Sequence, residues 1–399
     1  MAGRTAGSGG RSNGNALRLS LNDPTFRAIF WQVLVVALVG YSGWWLVDNT
    51  LTNLQTRGFA TGWAFLDREA GFAIGESMIP FGPENTYARA VFVGILNTLR
   101  VAVIGIVLAT ILGTIIGIGR LSKNALVAKV CSVYVEFIRN LPLLVQLFFW
   151  WALFQDNLPG PRQALELLPG VFASNRGVKI PVPAEHWIHA WMGAAFFVGI
   201  VASYFLSGWA KKRQAATGEQ FPVALGTIGL LVGLPFVVWL LGGAPVAMDW
   251  PVLRGFNFQG GLTATPEFAA LLIGLVTYTA GFIAEIVRAG ILAVPNGQTE
   301  AASALGLRRG PMLNLVVLPQ ALRVIIPPMT SQFLNLTKNS SLAVAIGYPD
   351  LVSIINTTLN QTGQAIEGIA MIMAAYLTVS LSISVFMNWY NKRIAFKER

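Results

Sequence analysis

Cysteine occurs once in these 399 residues, at Cys131, which rules out an intrachain disulfide and a zinc site built from cysteines. Histidine occurs twice, as His186 and His189, an i, i+3 pair that reads as interfacial rather than metal-binding. Charge is also scarce. Only 12% of the residues are charged and 54% are hydrophobic, whereas a soluble domain carries about 25% charged residues. An integral membrane protein is therefore indicated. No G-x-x-x-x-G-K-[ST] phosphate loop or other nucleotide motif occurs, and no strong catalytic triad or metal cluster is present, so the chain reads as non-catalytic by itself. A net charge of +10 could suggest a nucleic-acid partner. The basic residues lie instead in short tracts between apolar segments, a pattern set by membrane topology.

What the chain has in abundance is long apolar runs. Residues 1–28 are rich in Gly, Ser and Asn and carry Arg4, Arg11, Arg18 and Arg27, which predicts a disordered basic tail before an uncleaved anchor. Eight segments have the length of about 20 residues that a bilayer core requires. They run near 29–47, 90–119, 130–154, 187–209, 221–241, 266–292, 327–346 and 366–389. Seventeen Lys and Arg fall in the tails and loops assigned to the inside, and seven in those assigned outside. This predicts both termini in the cytoplasm. The expected fold is an all-α membrane protein of about eight transmembrane helices.

One polar stretch between the sixth and seventh spans organises the rest. From Gln298 to Pro319 the chain reads QTEAASALGLRRGPMLNLVVLP. Residues 300–305 are good helix formers, with Thr299 available as a cap, and Gly306 permits a turn that a Cβ would resist. Arg308 and Arg309 mark the cytoplasmic side, and Pro311 and Pro319 are expected to stop one straight helix from continuing. The picture is a short helical knob that passes a push from a soluble partner into the membrane.

Glu300, Ala301, Ala302, Gly306, Val316, Leu318 and Pro319 at this spacing resemble the EAA loop of membrane subunits of binding-protein-dependent ABC importers. Two flanking motifs, GFIAEIVRAGI from Gly281 and NLTKNSSL from Asn335, are similar to the polar and general L-amino acid permease branch. The likeness covers about residues 90–392. Residues 29–89, with the first span, and an insertion of two spans at about 155–265 look added to the usual smaller core; 393–399 read as a cytoplasmic tail. The resemblance implies a type I importer permease core and no cofactor in this chain, with ATP and magnesium bound by a partner ATPase. It further implies two ATP-binding subunits docked at Glu300, Ala301, Ala302, Gly306, Arg308 and Pro319. A second permease, identical or different, a soluble amino-acid-binding protein outside and surrounding lipid complete the implied partners. The alternative is a secondary transporter driven by an ion gradient, which needs no ATPase.

Ionisable groups at membrane depth cost about 2.5–3.5 kcal/mol each on insertion scales, so each needs a reason. Glu285 reads either as an i, i+3 pair with Arg288 or as a substrate-path residue. Lys338 sits in a polar band with Asn335, Asn339, Ser340 and Ser341, which lines a subunit interface or a water-filled path because it cannot face lipid. Together Glu285 and Lys338 could meet the two charges of an amino acid. Glu136 and Arg139 read as a paired charge beside Pro142, which is expected to interrupt the helix as it enters the apolar core; Gln146 reads as a weaker path candidate or interhelical donor, and Arg100 as snorkelling to the interface.

Overall fold

The computed structural model of the protein describes residues 24–56 and 62–394. Most of the expected N-terminal tail and the end of the C-terminal tail lie outside those residues. Helix α1 (Pro24–Thr56) is apolar around its circumference, and none of its described side chains is buried. An irregular strap at 62–86 leads to α2 (Tyr87–Gly119), whose first turn is capped by Thr86 accepting from the Arg89 amide.

The third apolar segment is two helices. α3 (Ala125–Asn140) and α4 (Leu143–Asp156) meet at 105° across Leu141 and Pro142. Proline lacks the amide that would continue the ladder and disfavours helical geometry in the residue before it, so a break is imposed here. α5 (Trp187–Thr217) is followed by one span made of α6 (Val223–Ile228), a π turn at Gly229–Gly233 and α7 (Leu234–Leu241). α8 (Pro266–Leu292) leads to α9 (Asn296–Ala304). Then α10 (Arg309–Met312), a π turn at Leu313–Val317 and α11 (Leu318–Asn339) run on into a 3₁₀ turn ending at Ile346. α12 (Leu351–Thr362) is short, and α13 (Ala365–Ile394) closes the described chain. Seven helical segments are long and apolar enough to cross a membrane, or eight if the bent α3–α4 pair counts as one.

Two expectations change here. Pro311 and Pro319 do not stop the chain: 309–346 is one span-length helical segment. Pro311 lies in the first turn of α10, and Pro319 follows the π turn, where the widened ladder accommodates a missing donor. The seventh span, expected to begin near 327, therefore starts earlier, and Pro327 and Pro328 lie within α11. The connections at 157–186 and 242–265 also carry strands that the helical reading omits. β1 (Leu165–Leu168), β2 (Val171–Ser174), β3 (Gly177–Ile180), β4 (Val182–Pro183), β5 (Met248–Asp249), β6 (Val252–Arg254), β7 (Asn257–Gln259) and β8 (Leu262–Ala264) form antiparallel ladders ordered β1-β2-β3-β8, β4-β5 and β6-β7. Turn glycines at 170 and 255, both at positive φ, allow two of these reversals.

α8 is the hub. Fifteen of its 27 residues are buried, and it packs against α2, α3, α4 and α11. Gly113 and Gly117 bring α2 so close to α8 that a Cβ at Gly117 would stand 2.6 Å from the Ala284 carbonyl oxygen. Small residues at such crossings replace the hydrophobic drive that lipid does not supply. Because β8 leads into one end of α8 and α9 follows the other, the sheets and the α9 projection lie at opposite ends of the bundle.

Candidate functional site

The α9 projection is built as a stub. Ala302 is its buried face, while Glu300, Ala301, Ser303 and Ala304 are exposed. The helix starts at Asn296 after Pro295, so Thr299 does not cap it; Thr299 Oγ1 instead donates to the Asn296 carbonyl at 2.7 Å. It ends in a reversal at Gly306 (φ +74°), closed by the Gly306 amide to Ser303 O and the Leu307 amide to Ala302 O. Those bonds satisfy the last carbonyls as a left-handed C-terminal cap does. Leu305 is 82% exposed at the tip, and Arg308 is exposed beside it.

Glu285 forms the pair with Arg288 and a second, unanticipated one. Its Oε1 takes Arg288 Nη2 at 2.6 Å, and Oε2 takes Arg288 Nε and Arg120 Nη1. Arg120 follows the last residue of α2, so the carboxylate ties α2 to α8. Both oxygens are occupied, and no ion pair among the described residues joins Glu285 to Lys338. Lys338 and Asn335 are exposed on α11 and Asn339 is half-buried. Ser340 is buried, and its hydroxyl donates to the Thr337 carbonyl, as Ser341 does to Lys338 O. These two serines thus satisfy carbonyls where α11 tightens into its 3₁₀ turn.

Gln146 serves the α3–α4 break. Its Nε2 donates to the Ile138 and Leu141 carbonyls, at 3.0 and 3.1 Å, that the bend leaves free. Glu136 and Arg139 do not pair among the described residues; Arg139 lies over the Phe282 ring at 5.0 Å, and Glu136 and Asn140 are exposed. Nor does Arg100 snorkel. Its guanidinium stacks 4.1 Å from the Phe268 ring centroid and pairs with buried Glu76, whose other oxygen accepts from the Thr265 hydroxyl. The strap therefore reaches across the ends of α2 and α8, beside a cleft of about 460 Å³ that Glu76, Thr265 and Glu267 help to line.

A second polar node escaped the sequence reading. Asp350 is fully buried; it caps α12 by accepting from the Ser353 amide and receives the Tyr376 hydroxyl at 3.5 Å. Burial pushes its carboxyl up to about 7, against the pull of the Ser353 and Val352 amides and Tyr376. The signal was available in Gly347-Tyr348-Pro349-Asp350 before an apolar periodic run, a helix start. His186 also caps, accepting the Ile188 amide on Nδ1, and among the described residues no group of three metal-ligating side chains is assembled.

A bundle of seven or eight helical segments long and apolar enough to cross a membrane, with one compact projection beyond its end, has the architecture of a multi-pass membrane subunit. Residues 221–396 match the family described as binding-protein-dependent transport system inner membrane component. The general L-amino acid transport system permease protein AapQ of Rhizobium johnstonii is 51% identical, over 97% of this chain and 96% of its own. The putative amino-acid ABC transporter permease protein YhdX of Escherichia coli is 52% identical, over 96% and 97%. The glutamate/glutamine/aspartate/asparagine transport system permease protein BztB of Rhodobacter capsulatus is 42% identical, over 97% and 98%. The chain belongs to this family of amino-acid ABC transporter permeases, inner-membrane components of binding-protein-dependent transport systems.

Proposed function

We propose that this chain is the translocation subunit of an ATP-driven importer of L-amino acids, with both termini and the α9 projection on the cytoplasmic side. One observation carries the reading: a rigid, Gly306-closed projection with bare Leu305 and Glu300 sits on the hub helix of a chain that aligns along nearly its whole length with AapQ. Two partner ATPases, holding ATP and magnesium, grip the projections of this subunit and of a second permease. Their closure moves the knobs as rigid bodies and turns the pore from one face to the other. The pore is completed by the second permease, because Asn335 and Lys338 on α11 and Glu136 and Asn140 beside the bend are exposed within one chain and cannot be left to lipid. In that setting Lys338 supplies the cation for a substrate carboxylate, and Glu285 acts as the inner tie between α2 and α8. A soluble amino-acid-binding protein delivers substrate at the sheet-bearing end. Identity along the full chain with ABC permeases favours this over a free-standing secondary transporter.

The test is coupling. In the reconstituted importer, Glu300→Lys and Gly306→Val are expected to leave membrane insertion intact while substrate-stimulated ATP hydrolysis and uptake fall about tenfold or more, since a β-branched residue resists positive φ. Normal coupling in both variants would remove the docking role.

A further inference from the structure

The inserted outer segment gathers its arginines at one point. The β6–β7 hairpin turns through Gly255 and Phe256, and Phe256 is 71% exposed. Arg162, from the turn after α4, lays its guanidinium 4.2 Å from the Phe256 ring centroid and donates to the Gly255 carbonyl. Arg176, from the β2–β3 turn, donates to the Phe256 carbonyl, and Arg254 stands exposed at the end of β6. Two guanidiniums from separated stretches are therefore anchored on one hairpin turn, and a third, Arg254, stands exposed in the strand that enters it. None makes an ion pair among the described residues. Of the acids in the same connections, Glu166 accepts the Gly170 amide, Asp249 accepts the Gly261 amide and neighbours Lys179, and Glu185 lies beside His186 and His189. Beneath the tip, Phe258 stacks on Phe172 at 4.7 Å, so the hairpin is fixed on the four-stranded sheet.

Unpaired like charges held together by packing are unfavourable unless an anionic surface meets them. An aromatic ring flanked by backbone-anchored arginines, with exposed Val252 and Leu253 alongside, is the composition of a protein-binding hot spot. Planar guanidiniums suit carboxylates in particular. We infer that this hairpin tip, with Arg162, Arg176 and Arg254 around Phe256, is the docking point for an acidic lobe of the soluble amino-acid-binding protein. The inference rests on the importer reading and names the surface that the delivering protein uses.

The experiment uses the complete importer in phosphatidylcholine nanodiscs and the solute-binding protein encoded with it. The triple variant Arg162→Glu, Arg176→Glu, Arg254→Glu is expected to weaken binding about 100-fold, and Phe256→Ala about tenfold, with the wild-type affinity falling steeply as salt rises. Arg254→Glu alone, which removes no hydrogen bond from the hairpin, should weaken it about fivefold. The binding-protein concentration for half-maximal ATPase stimulation should rise in step, with the saturated rate unchanged. Gly306→Val should dock normally while uncoupled, separating this surface from the projection. Wild-type binding that survives the triple reversal would overturn the inference while leaving the importer intact. A loss confined to nanodiscs containing phosphatidylglycerol would overturn it too, in favour of a lipid contact. No binding by the wild type would refute the importer reading itself.

Discussion

The hub helix α8 and the α5–α7 pair are similarly apolar, and they are used in opposite ways. Fifteen residues of α8 are buried against four other helices. On α5 four of 31 are buried, on α6 and α7 none, and the principal contacts of this pair are with each other. Apolar character alone therefore says that a helix enters a membrane, and nothing about what it touches there. What distinguishes the two regions is the placement of small residues and of charge. The core closes on Gly113 and Gly117 and is tied by the ion pairs of Glu285 and Glu76, whereas α5 meets its neighbours at Gly199, Gly226 and Gly242 and carries only the exposed Arg213–Glu219 pair among the described residues.

The comparison is broken most severely at Gly117. Leucine there meets the Ala284 carbonyl and the Val287 side chain, and because the obstacle is partly backbone, overpacking costs about 1–3 kcal/mol or more. Gly117→Leu is expected to abolish uptake and lower the thermal midpoint in detergent. Gly229→Leu, with nothing within 4 Å of a Cβ, should match wild type in both measurements. If both variants behaved alike, the division into packed core and lipid-facing appendage would be wrong.

The Glu76–Arg100 pair breaks the comparison through stability rather than through uptake. Its side chains are 8% and 13% exposed, and removing one partner of a buried pair costs about 3–5 kcal/mol because the other charge is left uncompensated. Glu76→Ala should lower the thermal midpoint markedly, whereas Glu76→Ala combined with Arg100→Met should recover most of it. A double variant no better than the single would show that the strap is held by its apolar contacts instead.

Asp350 gives the third, a slope with pH. Its native carboxyl titrates near 7 against an ordinary 3.8, so between those values the folded protein holds a proton that the unfolded chain has released. Stability from this residue is therefore full below about pH 4, falls as pH rises through that window and levels off above 7. Asp350→Asn keeps an α12 cap and should flatten the decline between about pH 4 and 7 in thermal unfolding. An unchanged slope would place the titration elsewhere.

Much of this was legible because it depends on composition and local chemistry. Span lengths, the break at Pro142 and the reversal at Gly306 follow from hydropathy and from residues with restricted or permissive backbones. The projection's helix was placed four residues late, since Pro295 starts it without a side-chain cap. The fates of the polar groups were not legible. Arg100 looked free to snorkel only because its partner, Glu76, is 24 residues away. Gln146 read as a weaker path candidate or an interhelical donor, because sequence does not show that a bend frees two carbonyls beside it. The strands were missed because they are two to four residues long, too short for alternation to register.

The smallest expected effect lies in the appended pair. Arg213 and Glu219 meet at 2.8 Å near the C-terminal end of α5, but their side chains are 41% and 69% exposed. Exposed pairs contribute about 0–1 kcal/mol, because water already solvates both charges and ordering two long side chains offsets the attraction. Arg213→Ala should leave uptake unchanged and shift the thermal midpoint by no more than the reproducibility of the scan. Arg213 also lies 5.5 Å from the Trp209 ring centroid, so Arg213→Lys serves as the control for that contact. A clear loss in the alanine variant, restored by lysine, would mean that this end of α5 is covered by something that excludes water. The α5–α7 pair would then count as an interface with a second subunit rather than a lipid-facing addition.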